Sequence, residues 1–278
     1  MRFHLAAAAT LICAGSVGQA QNTSGNRIVA TPLEIGETFT IESKIMREVR
    51  RINVYMPPGY TDSTERVPVL YMPDGGIAED FLHVAGLIQV GVGNGTMRPF
   101  LLVGIENTQR RRDMTGPTEN VNDRKIAPLV GGSALFRDFI RNELMPLIKS
   151  RYRTTSETAI VGESLAGLFV VETFLKEPAM FDTYIAFDPS LWWNNGRLVS
   201  DAPALLKGGN LKGKSIYIAT SSNAGLADLA ARMDTVLRSS TVTGLDWHYA
   251  TLPAETHATI YHPAALQAFR LLFKPPAK

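Results

Sequence analysis

TAIVGESLAGLFVVETF, residues 158–174, is the stretch on which the fold turns. TAIVG reads as a short apolar strand, and LAGLFVVETF, directly after Ser164, carries apolar residues at helical spacing. Between them stand Gly162, Glu163, Ser164, Leu165 and Ala166. A strand that turns at once into a helix through a G-x-S-x-G pattern is a nucleophile elbow. Its turn is sharp and strained, so the residues two before and two after the serine must be small. Gly162 meets that demand; Ala166 exceeds the commonest pattern by one methyl, with Gly167 next. A serine that merely caps a helix leaves the same local signature, so the rest of the chain has to arbitrate.

Outward from the elbow, strands and helices alternate from residue 67 to the end. VPVLYMPDGG and FLLVGIEN read as strands flanking a helical segment, AEDFLHVAGLIQV. LFRDFIRNELMPLIKSRY is helical, TYIAFDPS and KSIYIAT are strands, and LADLAARMDTVLRSS, LDWHYATLP and PAALQAFRLLF give a helix, a strand and a final helix. Continuous apolar strands suit a parallel sheet covered on both faces. Upstream, FTIESKIM and RRINVYMPPGY alternate and are close enough to pair as an antiparallel hairpin. The expected fold class is therefore α/β: one doubly wound, mostly parallel sheet with an N-terminal antiparallel hairpin, over residues 31–278.

The 278 residues are 45% hydrophobic and 19% charged, enough for a substantial core. Residues 1–20, MRFHLAAAATLICAGSVGQA, have an early arginine, an apolar run and small residues at a plausible cleavage site, which predicts a signal peptide and a periplasmic or secreted protein. The apolar run is shorter than the roughly 20 residues that span a bilayer, which favours a signal over a membrane anchor, and no membrane span is expected after its removal. A polar segment, 21–30, follows. The only cysteine, Cys13, lies in the signal, so disulfides, a thiol nucleophile and cysteine-bound metal are excluded from the mature chain. The formal charge of +2 and a single basic run, Arg110 to Arg112, closed by Asp113, give no nucleic-acid footprint.

If the elbow is real, its partners follow in the order serine, acid, histidine. His257 lies in the loop PAETHAT after the last strand, where the base belongs; His248 falls within a strand and His262 opens a helix. The acid is less determined. The loop after KSIYIAT offers no carboxylate before Asp228, which is the preferred residue, with Asp188 and Asp234 as alternatives and Glu255 too near His257 to orient it. The N–H of Leu165, at the helix start, points toward any oxyanion formed on Ser164. The second donor is expected from the N–H of Gly76, in the turn after VPVLYMP.

RRINVYMPPGY, VLYMPDGG, VGIENTQRRRDMTGP, FIRNELMPLIKSRYRT, IVGESLAGLF, FDPSLWWNN and ETHATIYHPA together resemble the esterase family that includes esterase D, S-formylglutathione hydrolase and the periplasmic enterochelin esterases. The resemblance covers about residues 38–272 and implies an α/β-hydrolase fold with functional Ser164, Gly76 and His257. Glu163 departs from the histidine, and Ala166 from the glycine, that such proteins often carry there. Asn107, Arg110, Arg112 and Asp113 match a family segment at the rim of the site, where an arginine's planar fork suits an anionic or catecholate group. Trp192 is expected to line an aromatic pocket, with core packing as the alternative for it or Trp193.

The reading that follows is an exported serine carboxyl-ester hydrolase acting through an acyl-enzyme on a small-molecule ester. It needs no metal and no organic cofactor. Export argues against a cytosolic glutathione thioester and leaves siderophore or plant-polymer esters. An acyltransferase, or a binding protein that kept the fold without the chemistry, would share these residues.

Overall fold

The apolar runs become the strands of a single sheet. In the computed structural model, which describes residues 30–240 and 242–276, the strands are β1 (Glu37–Ser43), β2 (Glu48–Tyr55), β3 (Val67–Pro73), β4 (Leu101–Ile105), β5 (Thr154–Glu163), β6 (Thr183–Phe187), β7 (Ser215–Thr220) and β8 (Asp246–Thr251). Their order is β1-β2-β4-β3-β5-β6-β7-β8. β1 and β2 form the expected antiparallel hairpin, β2 joins β4 antiparallel, and every later pairing is parallel. Residues Ile35–Lys278 make one compact unit. The expected signal peptide, with Cys13, lies outside the described residues. Among the described residues no helix is long and apolar enough to cross a membrane.

The helices are α1 (Phe81–Gly93), α2 (Arg110–Met114), α3 (Val121–Ile126), α4 (Ser133–Phe139), α5 (Met145–Arg151), α6 (Leu165–Lys176), α7 (Trp193–Gly208), α8 (Ala224–Ser239) and α9 (Tyr261–Leu272). They cover both faces of the sheet, which is why β3, β4 and β6 are buried along their whole length and read as unbroken apolar runs. One core cluster packs beneath α4 to α8, the other beneath α1 and α9. α6 runs through the first, buried from Leu165 to Leu175.

Two features differ from the sequence reading. The segment expected as one helix is interrupted at Ile140–Leu144 by a π-helical turn between α4 and α5. Pro146 has no N–H, and its ring would clash with the carbonyl four residues back, so the ladder widens just before it. α7 has no counterpart among the helices expected from the sequence. Asn194, Asn195 and Gly196 take left-handed backbone angles within it and Pro203 interrupts it, so no regular helical pattern shows in the sequence.

Behind the hairpin lies a buried ion network. Arg50, completely buried, donates to Asp113 Oδ2 at 2.6 Å and Glu48 Oε1 at 2.8 Å, and lies over the rings of Phe136 and Phe139. Arg112 binds the same two acids. Although burial opposes it, these arginines hold the Glu48 carboxyl down at about 2. Breaking one member of a buried network strands the charges left behind, so Arg50→Met should cost about 3 to 5 kcal/mol in urea unfolding. A loss below about 1 kcal/mol, the scale of an exposed pair, would contradict that reading of the network.

Candidate active site

Parallel strands deliver their following loops to one edge of the sheet, and that edge is where α/β folds bind ligands. Asp74 follows β3, Ser164 follows β5, Asp188 follows β6 and His257 lies in the loop after β8. The first three adopt positive φ angles, 56°, 59° and 39°, a backbone region costly for residues with a side chain. Strain gathered at three strand ends marks this edge as the place where geometry outranks local comfort.

At the elbow, Ser164 donates its N–H to the Phe187 carbonyl and accepts from Leu168 and Ser190, which fixes the turn on both sides. A Cβ on Gly162 would stand 2.7 Å from the Cβ of Ala166, so the methyl at 166 is tolerated only because 162 has none. Gly162→Ala should therefore lower stability by about 1 to 3 kcal/mol and cut any Ser164-dependent activity with it. Paired urea unfolding and activity measurements check this.

Ser164 Oγ lies 3.2 Å from His257 Nε2 and 3.4 Å from Ser190 Oγ. On the far side of the ring, His257 Nδ1 lies 3.1 Å from Asp188 Oδ2. The carboxylate that meets the imidazole is thus Asp188 and not Asp228, which is exposed on α8. Asp234 pairs with Arg238 on the same helix. The physical reason is strand adjacency: β6 lies next to β5, so the loop leaving it passes the elbow, whereas α8 begins beyond the turn after β7.

Asp188 is fully buried. Its Oδ1 accepts the Ser221 N–H at 2.8 Å and its Oδ2 the Ser221 hydroxyl at 2.6 Å. Burial pushes its carboxyl up, but the hydrogen bonds from His257 and Ser221 win and hold it below the usual carboxylate range. The same bond from Asp188 raises His257 against the opposing effect of burial.

Leu165 contributes the first N–H of α6, one of those that a helix leaves without an intrahelical acceptor. Gly76 differs. Its N–H is donated to Glu79 Oε2 at 2.7 Å, so the expected oxyanion donor is already capped by a carboxylate of its own loop. Glu79 Oε1 in turn accepts from Asn107 Nδ2 at 2.9 Å.

The two rim arginines separate. Residues two apart on a helix point about 200° from each other, so Arg112 turns into the buried network while Arg110 turns toward the site. Its Nε and Nη2 fork onto Asp74 at 2.6 and 2.7 Å. Arg112, held by Glu48 and Asp113, is not placed to meet a substrate. Trp193 is buried and donates its Nε1–H to the Gly116 carbonyl, whereas Trp192, two residues past Ser190, is 37% exposed. Ser190, Ser221 and Glu79 escaped the sequence reading; Ser190 alone left a signal, in the FDPS that ends β6. Among the described residues no group of three or more His, Cys, Asp or Glu side chains is placed to hold a metal.

Solved structures share this fold, and known sequences match parts of the chain. The crystal structure of an IroE-like serine hydrolase from Shewanella oneidensis matches with a TM-score of 0.78 and 29% identity over 86% of this chain and 80% of that one. Siderophore hydrolase EstB from Aspergillus nidulans matches with a TM-score of 0.73 over 91% and 99% of the two chains, a likeness of fold alone at 21% identity. By sequence, the siderophore triacetylfusarinine C esterase of Aspergillus fumigatus is 30% identical over 66% of this chain and 65% of its own length. The ferri-bacillibactin esterase BesA of Bacillus subtilis is 32% identical over half of each chain. The chain thus spans between half and two thirds of the length of these relatives. The family described as "Putative esterase" matches residues 43–262, a span that runs from the end of β1 into α9 and takes in all four strand-end residues; the chain belongs to that family, on an α/β-hydrolase fold.

Proposed function

We propose that the protein is a serine carboxyl-ester hydrolase that works through an acyl-enzyme. The observation that carries this reading is the unbroken file from Ser164 Oγ through the His257 ring to Asp188, with hydrogen-bonding distances of 3.2 and 3.1 Å. His257 Nε2 takes the hydroxyl proton as Ser164 Oγ bonds to the ester carbonyl carbon, and the Leu165 N–H receives the oxyanion. Collapse breaks the bond to the alcohol oxygen, which leaves with the proton from His257. Water then attacks the acyl carbon, gives its proton to His257, and Ser164 departs with that proton as the acid is released. Asp188 holds the ring in the tautomer that leaves Nε2 free to accept and stabilises its charge. Gly76 adds a second donor once the Glu79 carboxylate turns away.

The relatives named as siderophore esterases support a siderophore or related aromatic ester as substrate. Arg110 engages Asp74 through Nε and Nη2, which leaves Nη1 for an acceptor on such a molecule. Trp192 offers an exposed ring close by in sequence to Ser190. The amino-terminal pattern supports export, with residues 1–20 as the signal and the hydrolase domain beginning near residue 31.

A fluorophosphonate probe tests the reading. It should label one residue per chain, Ser164, and p-nitrophenyl butyrate hydrolysis should fall in proportion to labelling. Folded protein that hydrolyses the ester while Ser164 stays unlabelled would overturn it.

A further inference from the structure

Glu163 precedes the serine, and its side chain is folded back against the base rather than out into water, with 19% of it exposed. Its Oε1 stands 3.9 Å from His257 Nδ1, too far for a hydrogen bond and near enough for strong charge coupling. That oxygen is buried and has no hydrogen-bond partner among the described residues. The nitrogen it faces is the one already bonded to Asp188. Two carboxylates therefore converge on one N–H, and the mechanism above uses only one of them.

We propose that Glu163 is a positioning residue for the base: a second carboxylate facing His257 Nδ1, whose own carboxyl holds a proton more tightly when the ring is neutral than when the ring is charged. The inference rests on reading His257 as the base. The groups around Glu163 favour such an exchange. Asp74 and Asp80 face it from the loop after β3, Asp188 from the end of β6, Arg110 from α2 and Tyr261 from α9. Burial first, and then the three aspartates, push its carboxyl up, against the pull of His257, to about 7. His257 is itself raised, by Asp188 first and by Glu163 as well. Two groups that sit this close and shift each other lose their protons in two shared steps.

The sign of the effect follows. An ionised Glu163 favours the charged ring, and a charged ring cannot accept the Ser164 proton. Removing the carboxylate lowers the ring's affinity for a proton, so the acid limb of activity moves to lower pH.

The test is the pH titration of the His257 Cε1–H resonance by NMR in the wild type and in Glu163→Gln, beside kcat/KM against pH. The wild type should titrate in two steps. Glu163→Gln should titrate in one, with its midpoint and acid limb lower by on the order of one pH unit. Glu163→Asp, which keeps the charge but withdraws it, should retain two steps. If Glu163→Gln does not fold, the carboxyl carbon of Glu163 in the wild type reads the same linkage, by titrating in step with the His257 ring. A single His257 step unchanged by Glu163→Gln, or a Glu163 carboxyl that titrates with ordinary surface glutamates, overturns the proposal. The NMR titration needs no turnover, so it stands or falls separately from the esterase assay.

Discussion

Ser164→Ala should lower kcat for p-nitrophenyl butyrate by about 10⁶-fold, the scale on which serine hydrolases depend on their nucleophile. KM should stay nearly constant, because the hydroxyl is small and the ester's contacts lie elsewhere. The variant should fold: among the described residues the lost oxygen hydrogen-bonds to His257 and Ser190 alone, and the elbow is held by backbone bonds to Phe187, Leu168 and Ser190 that alanine keeps. Among the described residues Ser190 is the one hydroxyl within hydrogen-bonding distance of Ser164 Oγ, at 3.4 Å, and so the candidate substitute. Its hydroxyl makes no hydrogen bond to His257 among the described residues, so Ser190→Ala should retain turnover. Activity in Ser164→Ala within tenfold of the wild type, with the fold intact by circular dichroism, would remove the serine from the mechanism.

Asp188→Asn should lower kcat by about 10⁴-fold, while Asp228→Asn leaves it unchanged. The reason lies in the hydrogen bonds around Asp188. Its Oδ1 is fixed by the Ser221 N–H, a donor that the amide oxygen of asparagine would keep. The amide nitrogen would then occupy the place of Oδ2 and point two hydrogens at His257 and Ser221. A donor facing Nδ1 forces the ring proton onto Nε2, and that tautomer cannot accept from Ser164. The imidazolium also loses the buried negative charge that offsets it. Comparable rates for the two variants at neutral pH would sink Asp188 as the orienting acid, and a collapse in Asp228→Asn alone would return the role to α8.

The elbow, the sheet and His257 are legible in the sequence because each is a local or ordered signal. TAIVG, the small residues and the helix that follows lie within one window, and His257 lies in the last loop of a known order. Asp188 shows in the sequence as a carboxylate ending an apolar strand, but Asp228, after β7, fits the same order of serine, acid and histidine, and chain order cannot say which strand end passes nearest the serine. Only the pairing of β5 with β6 supplies that. Arg110 and Arg112 looked alike until α2 turned them to opposite sides. Glu79 could not be found from a motif, since its bond to Gly76 depends on how one side chain folds back within its own turn.

That bond bears on how small esters compare with larger ones. In the proposed mechanism a carboxylate resting on the Gly76 amide competes with the oxyanion, and moving it requires work before the chemical step. A substrate that grips the rim near Arg110 and Trp192 brings binding energy to spend on that displacement, whereas an acetate ester brings none. On the esterase reading, size is rewarded in kcat more than in KM, and small activated esters report the enzyme with its latch still closed.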